Sequence, residues 1–353
     1  MMYMFKKILK KSLYLLIPFF AYGLYVYIFP IYPDYNIPEE YFHTRFHDEW
    51  FDSPWNGFHA WKELIEWLKE HKEIILEFDR YYKCFLEDNC IYIDEHITQI
   101  EKNELLAAIK ADEETLAQYQ YVVNSFLRDF ENITEDYSYI STLNFALNEN
   151  WEIPVWAEII VYTRLLELSR GIIFYNHISQ WQTLLNNTIQ ILKNFSWLSY
   201  NLDDSIITYL ILMRVLEKNY MYIKNHFEEL PPHISLMLWR NVERYQISDT
   251  MLQNGIKTDH QFWKKIIESI YASSQKDFKT RFFFDLDETL QIMKKIDYER
   301  IEWDCSFVEI NNNWKNWIWR TLSELWNICM QRQLRQQSDL LQLRWDIIDL
   351  LSN

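Results

Sequence analysis

The residues of this chain that could do chemistry are few, and they fall in three short stretches. The first is Phe-Phe-Phe-Asp-Leu-Asp-Glu-Thr-Leu over residues 282–290, where Asp285 and Asp287 flank a leucine and Thr289 follows. Carboxylates so placed suit the first turn of a helix running into Leu-Gln-Ile-Met-Lys-Lys, because they cap its free N–H groups and offset its dipole. The second is His43 and His47, with Asp48, Glu49 and Asp52 nearby. On a helix both rings would share one face, but a metal needs further ligands in a defined geometry. No His-Glu-x-x-His order occurs, so surface or interfacial histidines are the expectation. The third is Cys84 and Cys90, which bracket Phe-Leu-Glu-Asp-Asn. A local disulfide could close that polar loop in an oxidising compartment if the Cα separation permits. Cys305 and Cys329 either pair or remain buried thiols. Neither pair has Cys-x-x-Cys spacing, so zinc and dithiol redox chemistry lack support.

The spelling of residues 282–290 resembles the first motif of haloacid-dehalogenase-type phosphatases, an apolar strand followed by Asp-x-Asp-x-Thr. The resemblance implies Asp285 as nucleophile, Asp287 as general acid/base and Thr289 beside them. That family sets the motif on the first strand of a doubly wound sheet, whereas the chain after Thr289 reads as helix without the later Lys and acidic Mg²⁺ motifs. A membrane-bound hydrolase is thus the runner-up function. Gly-x-Ser-x-Gly, Walker A and dinucleotide fingerprints are absent, and no cofactor or metal is expected.

The elements that would position such residues are helices. The 353-residue chain is long enough to bury a core unaided. With 16 Trp, 24 Tyr and 22 Phe, much of that burial must come from large rings. Only 4 glycines occur, too few for folds that need positive φ at many turns. Long proline-free stretches and few valines leave the chain free to be helical. The fold class is all-α.

Net charge is −16, and Lys6, Lys7, Lys10 and Lys11 all precede the first hydrophobic run, so the rest carries −20. Such a surface repels nucleic acid and anionic lipid headgroups. No nucleic-acid partner is expected; protein partners are.

From Ser12 to Pro33 no residue is charged. At 1.5 Å per residue that stretch can cross a ~30 Å hydrocarbon core. Lysines precede it and Asp34, Glu39, Glu40, Asp48, Glu49 and Asp52 follow, which orients the N-terminus inward. The expected plan is a basic cytoplasmic segment at 1–11, a transmembrane anchor at 12–33 in the lipid bilayer, a proline-stiffened spacer at 34–55, and an acidic all-helical domain at 56–353. No small-residue cleavage site follows the apolar run. The expected localisation is the inner membrane, single-pass, with the bulk periplasmic.

Within the domain, Trp61, Leu64, Ile65, Leu68, Ile75 and Phe78 recur with a helix period, and Asn56-Gly57 marks the start. Residues 98–130 repeat that pattern. After Pro154, Gly171 and Asn176 are read as the turn between two helices of a hairpin. Asp203 and Asp204 are read as the cap of the next helix, and Pro231-Pro232 as the start of another. Shorter helices near 258–273 and 287–296 and a closing helix over 314–351 complete the order. Helix pairs stacked in TPR-like fashion are one arrangement this order allows. Trp314, Trp317 and Trp319 read as packing residues.

Asn56-Gly57-Phe58 after the anchor, the helical centre from Leu165, Phe282-Phe283 and a closing amphipathic helix resemble a group of proteobacterial single-pass membrane-anchored helical proteins of no assigned activity. The resemblance implies an envelope protein. Together with the charge pattern, it makes a non-enzymatic interaction or scaffold domain the leading expectation.

Overall fold

In the computed structural model, residues 37–42, 53–90, 98–141, 155–274, 286–301 and 331–352 are described. They are overwhelmingly α-helical: α1 (Phe58–Glu70), α2 (Lys72–Leu86), α3 (Gln99–Ala111), α4 (Glu113–Asp136), α5 (Val155–Ile178), α6 (Trp181–Asn201), α7 (Ile206–Asn225), α8 (Pro232–Arg244), α9 (Met251–Ser274), α10 (Leu286–Ile301) and α11 (Gln331–Ser352). The proposed span at 12–33 lies outside the described residues, and among those described no helix is long and apolar enough to cross a membrane.

Local sequence explains several boundaries. Asn56 Oδ1 accepts the N–H of Phe58 at 3.2 Å just ahead of α1. Thr98 and Glu101 form a reciprocal capping box on α3. Asp112 separates α3 from α4 and accepts from Thr115 N at 3.0 Å. Pro232 sits in the first turn of α8, where its missing N–H costs nothing.

Two expectations are corrected. The hairpin turns at Ser179–Gln180, not near Gly171, which lies inside α5. A Cβ at Gly171 would collide with the Tyr119 hydroxyl and come within 3.0 Å of Phe78 Cβ. The glycine is there for close approach between helices, and it forgoes about 1 kcal/mol of helix propensity relative to alanine. Asp203 belongs to a short strand, and the N-cap of α7 is Ser205, which makes no side-chain cap hydrogen bond. Asp204 instead takes the Ser205 N–H at 2.6 Å.

The described residues divide into two compact units. The larger comprises 38–266, 297–301 and 331–352; the smaller comprises Ile37, 267–274 and 286–296. In the larger, α5 is central and packs on α1, α2, α6 and α7, while α11 covers α7 and α8. Phe78 and Tyr119 stack with centroids 3.6 Å apart, and the buried Tyr119 hydroxyl donates to Leu168 O at 3.1 Å. Trp61, Phe130 and Phe195 extend the aromatic core. Two-residue strands β1 (Ile140–Ser141) and β2 (Leu202–Asp203) pair in parallel, with Ile140 opposite Leu202. In the smaller unit, Ile292 and Ile296 of α10 pack together.

Candidate functional site

Among the sequence-singled residues, Asn56, Gly57 and Phe58 form a corner. Asn56 Oδ1 accepts Ser141 N at 3.1 Å while its Nδ2 donates to Ser141 O at 3.4 Å. Gly57 N donates to Tyr139 O at 2.8 Å, and a Cβ on Gly57 would lie 2.9 Å from the Tyr137 ring. The motif therefore ties the start of α1 to the chain leaving α4. That role satisfies buried backbone groups, and it places Tyr137 at the head of a groove.

The groove, of about 330 Å³, lies between two matching helix stripes. Ala60, Glu63, Leu64 and Trp67 come from α1; Asp129, Asn132, Ile133 and Asp136 come from α4, with Tyr137 beyond. Both sets follow the i, i+3, i+4, i+7 spacing that puts residues on one helical face. Leu64 and Ile133 are buried in its floor. Trp67 is half-buried and rests on the His71 ring, with centroids 3.9 Å apart.

The electrostatics of this groove are one-sided. Asp129 is paired with Arg128 at 3.0 Å, and Glu131 and Glu135 share Lys193 at 2.6 and 3.3 Å. The Lys193 hydrogen bond holds the Glu131 carboxyl below its ordinary range and raises the ammonium in turn. Among the described residues, neither Glu63 nor Asp136 has an ion-pair partner, although both are exposed. The last turn of α4 contains no basic residue. Its free carbonyls therefore add negative potential where a cation would be favoured.

Elsewhere, Asp79 and His260 are engaged in holding helices together. Asp79 on α2 is buried and receives Arg170 Nε from α5 at 2.5 Å and Lys83 Nζ at 2.7 Å. Burial, with Asp79 nearby, pushes the Tyr119 hydroxyl well above its usual pKa. His260 is fully buried, with Nδ1 2.9 Å from Asp297 Oδ2 and its ring stacked on Phe42 at 3.9 Å. Its Nε2 meets no hydrogen-bond partner among the described residues. An imidazole oriented by a carboxylate resembles the base half of a hydrolytic triad, but no solvent reaches it. Gln261 fixes the same segment by donating to Phe42 O at 3.1 Å.

Cys84 and Cys90 are joined as a disulfide with Cα atoms 4.1 Å apart. Asp88 in that loop adopts φ 55° and pairs with Lys102. Asp287 is exposed in the first turn of α10, and Thr289 is buried. Asp285, Phe282-Phe283, His43, His47, Cys305, Cys329, Trp314, Trp317 and Trp319 lie outside the described residues. Among those described, no three His, Cys, Asp or Glu side chains converge on a metal point.

The groove and the Asp79 cluster escaped sequence reading. Each groove stripe could have been found as a helical face that mixes Glu or Asp with apolar residues, but nothing local shows that the two stripes meet.

No protein-family model, curated protein or solved structure matches this chain.

Proposed function

We propose that this chain is a membrane-tethered interaction protein, in which residues 12–33 span the inner membrane and the acidic helical domain lies on the periplasmic side, where it binds or scaffolds other proteins without catalysing a reaction. The observation that carries the reading is the asymmetry around the uncharged stretch: Lys6, Lys7, Lys10 and Lys11 before it, and Asp34, Glu39 and Glu40 after it. Two further features support it. The Cys84–Cys90 bond suits an oxidising compartment. Asp79 and Asn56, both buried in the larger unit, are engaged in joining helices and loops.

The test is topology. The full chain carrying a C-terminal alkaline phosphatase should be membrane-bound and active, and the same chain carrying a green fluorescent protein should be dark. A soluble cytosolic product would overturn the reading. The rival hydrolase would rest on Asp285 and Asp287. Asp285→Asn with Asp287→Asn is expected to leave phosphatase background and phenotype unchanged, and a loss of either would favour that rival.

A further inference from the structure

We infer that the groove between α1 and α4 receives a cationic amphipathic segment of a partner protein, with a Lys or Arg side chain between Glu63 and Asp136 and an apolar side chain on the floor of Leu64, Trp67 and Ile133. The inference rests on the tethered-interaction reading and deepens it by naming what the partner must carry.

Charge complementarity selects the occupant. In the last two turns of α4, Asp129, Glu131 and Glu135 have their own cations within 3.3 Å or less, while Asp136, and Glu63 across the groove, have none among the described residues. Asp136 also stands at the negative end of a 24-residue helix with no base in its last turn. That arrangement costs the free domain stability, and a cation from outside would relieve it. The floor supplies the second half of the recognition: half-buried Trp67, one helical turn from Glu63, offers most of its apolar surface, and Leu64 and Ile133 close it from below.

Other occupants fit less well. A second copy of this domain brings more negative charge, since the chain beyond its first lysines carries −20. Anionic lipid and nucleic acid are repelled for the same reason. The stripe from Ala60 to Trp67 spans roughly 10 Å of helix axis, so the bound element is about two turns of helix, and binding must be weak and salt-sensitive.

The test uses the full chain in nanodiscs. The probe is a dye-labelled peptide with Lys and Leu placed at helical i, i+3, i+4 spacing, read by fluorescence anisotropy. Glu63→Gln with Asp136→Asn is expected to weaken binding roughly 25-fold at low salt, about fivefold for each carboxylate. Asn132→Lys, which sets a cation of the chain's own into the groove, should abolish it. Glu113→Gln with Glu228→Gln removes the same charge at exposed positions away from the groove and should change little.

Equal weakening by the two double variants would mean that the peptide reads only net charge, and the groove assignment would fall. Full binding by Asn132→Lys would sink it equally. Tighter binding by a peptide of residues 2–11 of this chain, lost in Asn132→Lys, would make the occupant a segment of the protein itself and overturn the partner assignment. None of these results touches the topology reporters, so the tethered reading stands or fails separately.

Discussion

The seam between α2 and α5 and the groove between α1 and α4 both place carboxylates against aromatic side chains, yet they treat the charge in opposite ways. At the seam, Asp79 is buried and is met by Arg170 and Lys83 from two directions. At the groove, Glu63 and Asp136 are exposed and have no ion-pair partner among the described residues. A buried charge without partners is prohibitively costly, so the seam must be internally complete. An exposed one costs little, so it can be left for something outside. Completeness marks a structural charge, whereas the groove carboxylates remain open to solvent and to the partner inferred above.

The comparison can be broken first at the seam. Asp79→Ala leaves Arg170 largely buried beside Lys83, and a loss of about 3 kcal/mol in urea unfolding is expected. A loss no greater than that of Glu63→Gln would erase the distinction between the two regions. Gly171→Ala comes next, at about 2 kcal/mol. Overpacking against Tyr119 and Phe78 should outweigh the propensity gained, and a rise in melting temperature would show that the close approach can relax.

The groove predicts the opposite sign. Asn132→Lys is expected to stabilise the free domain by about 0.5 kcal/mol, because it supplies the missing cation near the C-terminus of α4. Thermal melts at low and high salt check this, since the gain should fade as salt screens it.

The smallest effect sits at the far end of α5. Burial, and then the neighbouring His226, lowers the His177 pKa below its ordinary 6.5. The unfolded chain therefore takes up that proton first. Stability should be full above pH 6.5 and decline slightly as pH falls through that value toward the lower folded pKa. By area the ring is exposed, so the change should be slight. His177→Gln should flatten the curve between pH 7 and 5.

Much of the fold was legible because its causes are local. Scarce glycine and valine disfavoured sheet-based folds and long proline-free stretches allowed helices, Asn56-Gly57 marked the start of α1, and Pro232 marked that of α8. The hairpin turn was misplaced because Gly171 looks like a breaker in one dimension, whereas its reason is Tyr119, a residue on a different helix. Asp203 and Asp204 read as a cap, but β1 draws Asp203 into a strand. The Asp79–Arg170 pair joins residues 91 apart, and the groove joins two faces each of which is ordinary alone. Such pairings are set by packing, which no local pattern encodes.

Arg344 sits almost fully buried on α11 and sends its guanidinium to the carbonyls of Val242 and Glu243, in the last turn of α8, at 3.1 and 3.0 Å. Synthesis runs from the N-terminus, so those carbonyls and the apolar face of α7 must wait for a helix made much later. Until residues 337–348 arrive, those carbonyls and that apolar face stay open to water, and the larger unit lacks the helix that covers them. Protease resistance in a pulse-chase is accordingly expected only after α11 has emerged; resistance in a chain truncated before Gln331 would contradict it.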